Sequence, residues 1–210
     1  MASYEKPDFW SLKAQKEHYP ARSVYKLKEI DEKFIFFKSA RQAGPLKVLD
    51  MGAAPGSWSL YVLRTYGKKN NQPGALFLTA VDLLPLSRHP EFSANDNFFF
   101  IQGDFTSALV REKIAKQGPY NALVSDAAPP TTGSRTVDTL RSLSLAEEVL
   151  AHAETCLAPG GNLAVKIFQG GKEAALLKLL KERFTAAKSF KPVSCRSESF
   201  EIYFIGLGKR

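Results

Sequence analysis

Two cysteines in 210 residues, Cys156 and Cys195, are too few and too far apart in sequence for a disulfide framework. Three histidines, His18, His89 and His152, fall at no metal-ligand spacing, so no metal site is expected. No stretch approaches the roughly 18 consecutive apolar residues of a membrane span. The opening MASYEKPDFWSLKAQKEHYP lacks the apolar run of a secretion signal. Internal repeats and low-complexity tracts are absent too. These shortages argue against disulfide-stapled, zinc-framed and membrane-spanning classes, and they lead to the expectation of a soluble protein in the reducing cytoplasm.

What is present is a surplus of positive charge, 29 Lys and Arg against 21 Asp and Glu, and it is unevenly distributed. Residues 1–47 carry ten basic against six acidic side chains and residues 166–210 ten against four, whereas the centre has nine against eleven. Two basic ends around a slightly acidic middle suggest a polyanion approaching surface built by both ends, although solvated lysines that merely keep a protein soluble give the same count.

Length and a 44% hydrophobic content fit one compact domain. Its expected bounds are 21–210, behind a loosely ordered basic segment over 1–20. Apolar runs at 46–53, 75–83, 97–105, 121–128, 161–169 and 201–208 read as buried strands. Helical patterns near 21–35, 57–66, 106–117, 138–157 and 171–184 separate them, with GKKNNQPG (67–74) as a surface loop and APGG (158–161) as a helix stop and turn. The alternation predicts an α/β fold, a mostly parallel sheet with helices on both faces.

The turn after the first strand, DMGAAPGSW, is where such folds meet a nucleotide-like ligand. Gly52 and Gly56 permit backbone angles and approaches that a side chain would block, and Pro55 stiffens the loop. The spacing departs from the G-x-G-x-x-G of dinucleotide binders, which weakens the case for a pyrophosphate cradle and for a nicotinamide dehydrogenase. Acidic residues recur at Asp50, Asp82, Asp104 and Asp126, within or at the ends of the first four strands, and are expected at one rim. A carboxylate after strand two can accept from both ribose hydroxyls, and one after strand three from an adenine amino group. Several carboxylates suit a cationic ligand and repel a pyrophosphate. S-adenosylmethionine therefore fits better than a dinucleotide, although a single Asp after an apolar run is often just a cap or turn residue.

VLDMGAAPGSWS, AVDLLP, IQGDF, VSDAAP, LAPGGNLAVKIFQG and SESFEIYFIGLG, in that order, resemble the ribosomal RNA large-subunit methyltransferase E family, also known as the FtsJ or RrmJ family. The resemblance runs from about residue 21 to the C-terminus. It implies a Rossmann-like methyltransferase fold with an antiparallel last strand. It further implies methyl transfer from S-adenosylmethionine to a ribose 2′-hydroxyl, in bacterial members that of a uridine in large-subunit ribosomal RNA. By this similarity Lys26, Asp126, Lys166 and Glu201 match the catalytic Lys-Asp-Lys-Glu tetrad, with Lys166 as the residue usually assigned as proton acceptor. Gly52, Gly56, Trp58, Asp82, Asp104 and Asp126 are the expected cofactor residues, Trp58 either over the adenine or in the core.

A ribose hydroxyl is a poor nucleophile and has to be held in line and relieved of its proton. The expected role of Lys166 is to orient the hydroxyl oxygen, taking its proton only with cofactor bound and water excluded. Arg22, Lys28, Arg135, Lys191 and Arg196 are candidate RNA phosphate contacts. SDAAPP departs from the SDMAPN common in bacterial members, close to where RNA would enter, so a transfer RNA ribose methyltransferase is the alternative substrate reading. A non-catalytic RNA-binding or ribosome-assembly protein is the alternative from another class. The large ribosomal subunit is the expected partner and a monomer the expected state.

Overall fold

The computed structural model describes residues 7–41, 44–67, 75–171 and 173–210. The strands are β1 (Leu46–Met51), β2 (Leu76–Asp82), β3 (Phe98–Gln102), β4 (Tyr120–Ser125), β5 (Leu157–Phe168), β6 (Phe184–Phe190) and β7 (Glu201–Lys209). They form one sheet in the order β3-β2-β1-β4-β5-β7-β6, in which β7 alone runs antiparallel to its neighbours. Outward from β1 the chain builds first towards β3 and then, from β4, in the opposite direction. That reversal opens a crevice at the carboxyl ends of β1 and β4.

The helices are α1 (Phe9–Lys16), α2 (Val24–Phe34), α3 (Phe36–Ala40), α4 (Ser57–Val62), α5 (Pro90–Ser93), α6 (Ala108–Gln117), α7 (Arg135–Cys156) and α8 (Ala174–Arg183). Two-residue alternation along the strands divides the core. Val48, Ala122, Val124, Ala164 and Tyr203 pack with Val24, Leu27, Ile30, Phe36 and Val62 of α2, α3 and α4. Leu49, Leu123, Leu163 and Val165 face the other way, against Val110, Ile114, Val149, Leu150, Leu176 and Leu180 of α6, α7 and α8. Each fully buried Leu or Ile in these layers contributes about 1.5–3 kcal/mol. Asn162 ties the layers together: its amide donates to Phe36 O at 2.7 Å and its Oδ1 accepts from Gly208 N at 2.9 Å.

Four expectations need correction. Residues 9–16 are not loose, because Asp8 accepts from Ser11 N at 2.8 Å and caps α1, and Trp10 packs on Tyr25 at 4.9 Å. The run at 97–105 does not form a buried strand: β3 is an edge strand none of whose five residues is buried, and Phe105, beyond its end, is what reaches the core. APGG does not precede β5 but bulges within it, where the register with β4 slips between Tyr120 and Ala122. The strand β6 was missed altogether. Residues 68–74 of the expected loop lie outside the described residues.

Candidate active site

A cleft of about 710 Å³ lies at the reversal of the sheet, lined by Gly52, Ala54, Asp82, Asp104, Asp126 and the apolar Leu83, Leu84, Phe105 and Pro129. The β1–α4 loop is fastened to β2: Gly52 N and Ala53 N both donate to Val81 O, at 2.9 and 3.1 Å. Asp82 completes the fastening, one oxygen accepting from Ala54 N and the other from Leu84 N, each at 2.8 Å. Asp104 accepts from Thr106 N and Oγ1 through Oδ1 alone. Both carboxylates retain lone pairs for a ligand. Leu83 and Leu84 are each 65% exposed at the cleft, apolar walls for a planar ring. Apolar walls and four carboxylates, Asp82, Asp104, Asp126 and Glu148, against one cation, Arg141, suit an adenosine-bearing cation better than a polyphosphate.

Gly52 has φ +77°, and a Cβ there would lie 2.6 Å from Ala127 Cα. Its small size serves the contact between the β1 and β4 loops. Gly56 has φ +110°, an angle that strains any side chain, but the close contact of a Cβ there, at 2.8 Å, is with the ring end of Phe92, which can shift. Gly52→Ala is therefore expected to lose more than about 2 kcal/mol of stability together with cofactor binding, and Gly56→Ala distinctly less. Thermal unfolding with equilibrium dialysis checks both; equal losses would contradict the assignment of the closer contact to Gly52.

Beside the cleft, four elements converge. Antiparallel register places Lys166 opposite Tyr203 and Phe168 opposite Glu201, so all four share the sheet face covered by α2. Lys26 of α2 pairs with Glu201 Oε1 at 2.6 Å. Lys166 Nζ pairs with Asp126 Oδ1 at 2.9 Å and also donates to the Asp126 carbonyl. Tyr203 Oη donates to Asp126 Oδ1 at 2.6 Å. Burial pushes the Asp126 carboxyl up, but Lys166, Lys26 and the Tyr203 hydrogen bond outweigh it and hold the group below the usual carboxylate range. Burial lowers Lys26, yet the Asp126 and Glu201 carboxylates more than offset it and keep the group above its ordinary value.

All four tetrad residues are thus brought together, and Asp126 also lines the cleft. Of the two alternatives for Trp58 the structure takes the core: its ring is buried, 5.9 Å from Tyr203, with Nε1 donating to Ser23 O at 2.8 Å. Asp50 lies beneath the rim rather than on it, fully buried and accepting from Ser59 Oγ at 2.6 Å, its carboxyl pushed by burial up to about 7. Arg22 is a second correction. Its guanidinium binds Asp8 and the Ser194 carbonyl, tying α1 to the β6–β7 loop, and its side chain is 16% exposed. Sequence reasoning missed Tyr203, although it stands two residues from Glu201 on one strand face and the strand period could have found it.

The fold and the cleft define a Rossmann-like, S-adenosylmethionine-dependent methyltransferase. Family comparison agrees: the model of the FtsJ-like methyltransferases matches residues 19–209. The chain belongs to the FtsJ-like methyltransferase family. It is 48% identical over 204 residues to the ribosomal RNA large subunit methyltransferase E of Treponema denticola, covering 97% of this chain and 96% of that one. The enzyme of that name from Borrelia garinii is 41% identical, with 97% of each chain covered. Among solved structures, one described as a ribosomal RNA methyltransferase of Plasmodium falciparum superposes with a TM-score of 0.72 at 26% identity, covering 91% of this chain and 98% of that one. Human methyltransferase-like protein 13, at 15% identity and a TM-score of 0.56, covering 85% of this chain and 82% of that one, shares the fold.

Proposed function

We propose that the protein methylates the 2′-hydroxyl of a uridine in large-subunit ribosomal RNA. The observation that carries this reading is the pair of buried ion pairs, Lys26–Glu201 and Lys166–Asp126, assembled from four separate elements beside an adenosine-sized cleft. The names of the relatives give the substrate class.

S-adenosylmethionine would supply an electrophilic methyl group, with Asp82 and Asp104 taking its adenosine hydroxyls and amino group. The β1–α4 loop, from Gly52 through the backbone at Gly56 and Trp58, would hold its amino-acid end. The chain's own task is to present the acceptor oxygen. Lys166 Nζ has two positions filled by Asp126 and keeps one for the hydroxyl. As an ammonium it donates to the oxygen and holds it in line; it takes the hydroxyl proton only as the neutral amine, after giving up one proton of its own to solvent before RNA excludes water. Asp126 fixes Lys166, while Lys26 and Glu201 close the far side of the acceptor position.

Lys28, Lys191 and Arg196, on the two basic ends of the chain, and Arg135 from its centre remain the proposed phosphate contacts; Arg22 is withdrawn. Lys191 donates to Ser199 O at 2.7 Å, at the edge of the same loop that carries Arg196. We place the enzyme in the cytoplasm as a monomer acting on the large subunit, its catalytic domain including α1. Among the described residues no helix is long and apolar enough to cross a membrane. The test offers protein and methyl-labelled donor to unmethylated large subunits, free ribosomal RNA and transfer RNA. Label on the subunit supports the proposal; label confined to transfer RNA moves the assignment to that substrate.

A further inference from the structure

A second, smaller cavity of about 170 Å³ lies beyond the end of β5, between the first turns of α7 and the turn leading to α8. Arg135, Thr136, Thr139, Leu143, Phe168 and Glu173 are among the residues lining it. It holds several times the roughly 30 Å³ share of one water, yet is much smaller than the cofactor cleft. One aromatic side chain lines it, Phe168, which is backed edge-on by Phe200 at 4.8 Å; the Arg135 guanidinium sits over Phe200 at 5.4 Å. These groups are fixed in place. Phe168 N donates to Ser142 Oγ of α7 at 3.0 Å. Asp138 accepts from Thr132 N and Oγ1, at 2.7 and 2.8 Å, and so fastens the preceding loop to the first turn of α7, which Arg135 opens.

The position of this cavity matters most. The cavity lies on the α7 side of the sheet, and Phe168, which lines it, is the strand partner of Glu201 and two residues along β5 from Lys166, so the end of β5 is shared between the cavity and the acceptor position. An aromatic side chain, an arginine at the mouth and a few polar groups on an otherwise apolar wall are how proteins hold an unstacked base.

We propose that this cavity holds a nucleobase of the RNA strand, that of the acceptor nucleotide or its immediate neighbour, and so sets the acceptor ribose against Lys166. The inference rests on the RNA reading given above. Occupying the cavity orders the nucleotide on one side of the reacting hydroxyl while Lys26 and Glu201 bound the other. Flipping a base costs stacking, and a preformed cavity with an aromatic wall returns part of that.

The test irradiates the full-length protein with a large-subunit RNA fragment carrying 5-iodouridine at the methylated position or at either neighbour, and maps the crosslinked peptide by mass spectrometry. The expected result is a crosslink to Phe168 or Phe200 from one of the three positions. Its yield should fall at least about tenfold in Thr136→Trp, which fills the cavity from an exposed site and is expected to unfold at the wild-type temperature. Crosslinks confined to other peptides, or an undiminished yield at Phe168 and Phe200 in the filled variant, would overturn the proposal. Methyl transfer to the same fragment is scored separately. Crosslinking at the cavity without methylation would sink the proposed activity and leave the cavity; methylation without it would do the reverse.

Discussion

Lys166→Ala is expected to lower the rate of methyl transfer by about 10²–10⁴-fold, the range over which a positioned proton-transfer group usually acts, while cofactor affinity changes by no more than a few-fold. The separation follows from the geometry. Lys166 is absent from the lining of the cofactor cleft, and its contacts run to Asp126 on the acceptor side. Removing it takes away the group that fills the acceptor position and leaves Asp126 with Tyr203 as a partner. Lys166→Arg keeps the charge but offers no lone pair, and its fork cannot place a single nitrogen where Nζ sits. It should recover little. Single-turnover rates with saturating cofactor, together with dialysis for affinity, read both effects. Near-normal turnover in the alanine variant across the pH range would remove Lys166 from the chemistry.

Asp126→Asn should have the largest effect on stability. The carboxylate faces Lys166 directly, feels Lys26 nearby, and has a side chain only 18% exposed. Breaking a buried pair by removing one partner costs about 3–5 kcal/mol. Because Lys166 keeps the Asp126 carbonyl and the site is partly open, about 2–4 kcal/mol is expected here. The pH dependence has a definite sign. The folded-state carboxyl titrates below its ordinary value of 3.8, so its contribution is complete above that value and disappears as pH falls through the folded value. Urea midpoints should therefore separate wild type from variant widely at pH 7 and less at pH 3. An equal gap at both pH values would mean that the charge of Asp126 is not what stabilises the site. Methyl transfer should fall as well, because Lys166 loses the carboxylate that aims it.

The parts of this protein legible in its sequence were those in which one residue type has one common use. Apolar runs followed by Asp located three strand ends, and the cleft holds their carboxylates, Asp82, Asp104 and Asp126. Asp50, read as lying within the first strand, was expected at the same rim but is fully buried in β1, where it accepts from Ser59. The helix α1 was hidden because its apolar residues do not form one buried stripe: Ala14 is buried, but Phe9 and Leu12 are exposed. The edge strand β6, FTAAKSF, was hidden because just one of its seven residues is buried. The aromatic run of β3 erred the other way, since hydrophobicity alone does not distinguish a central strand from an edge one. Trp58 and Arg22 show the same limit for single residues. An indole can reach a cofactor or a helix carbonyl, and a guanidinium can reach a phosphate or the chain's own Asp8; tertiary contacts decided both. Lys26 could be selected only through the family resemblance, because Lys28 and Lys33 make the helix look uniformly lysine-rich.

The central claim is that the acceptor is a ribose oxygen. Unmethylated large ribosomal subunits incubated with the protein and methyl-labelled S-adenosylmethionine, then digested to nucleosides, test it directly. The account predicts label eluting as 2′-O-methyluridine, resistant to alkaline cleavage at that position and absent with Lys166→Ala. Label on a base, with the ribose 2′-hydroxyl free and the chain alkali-sensitive there, would contradict it.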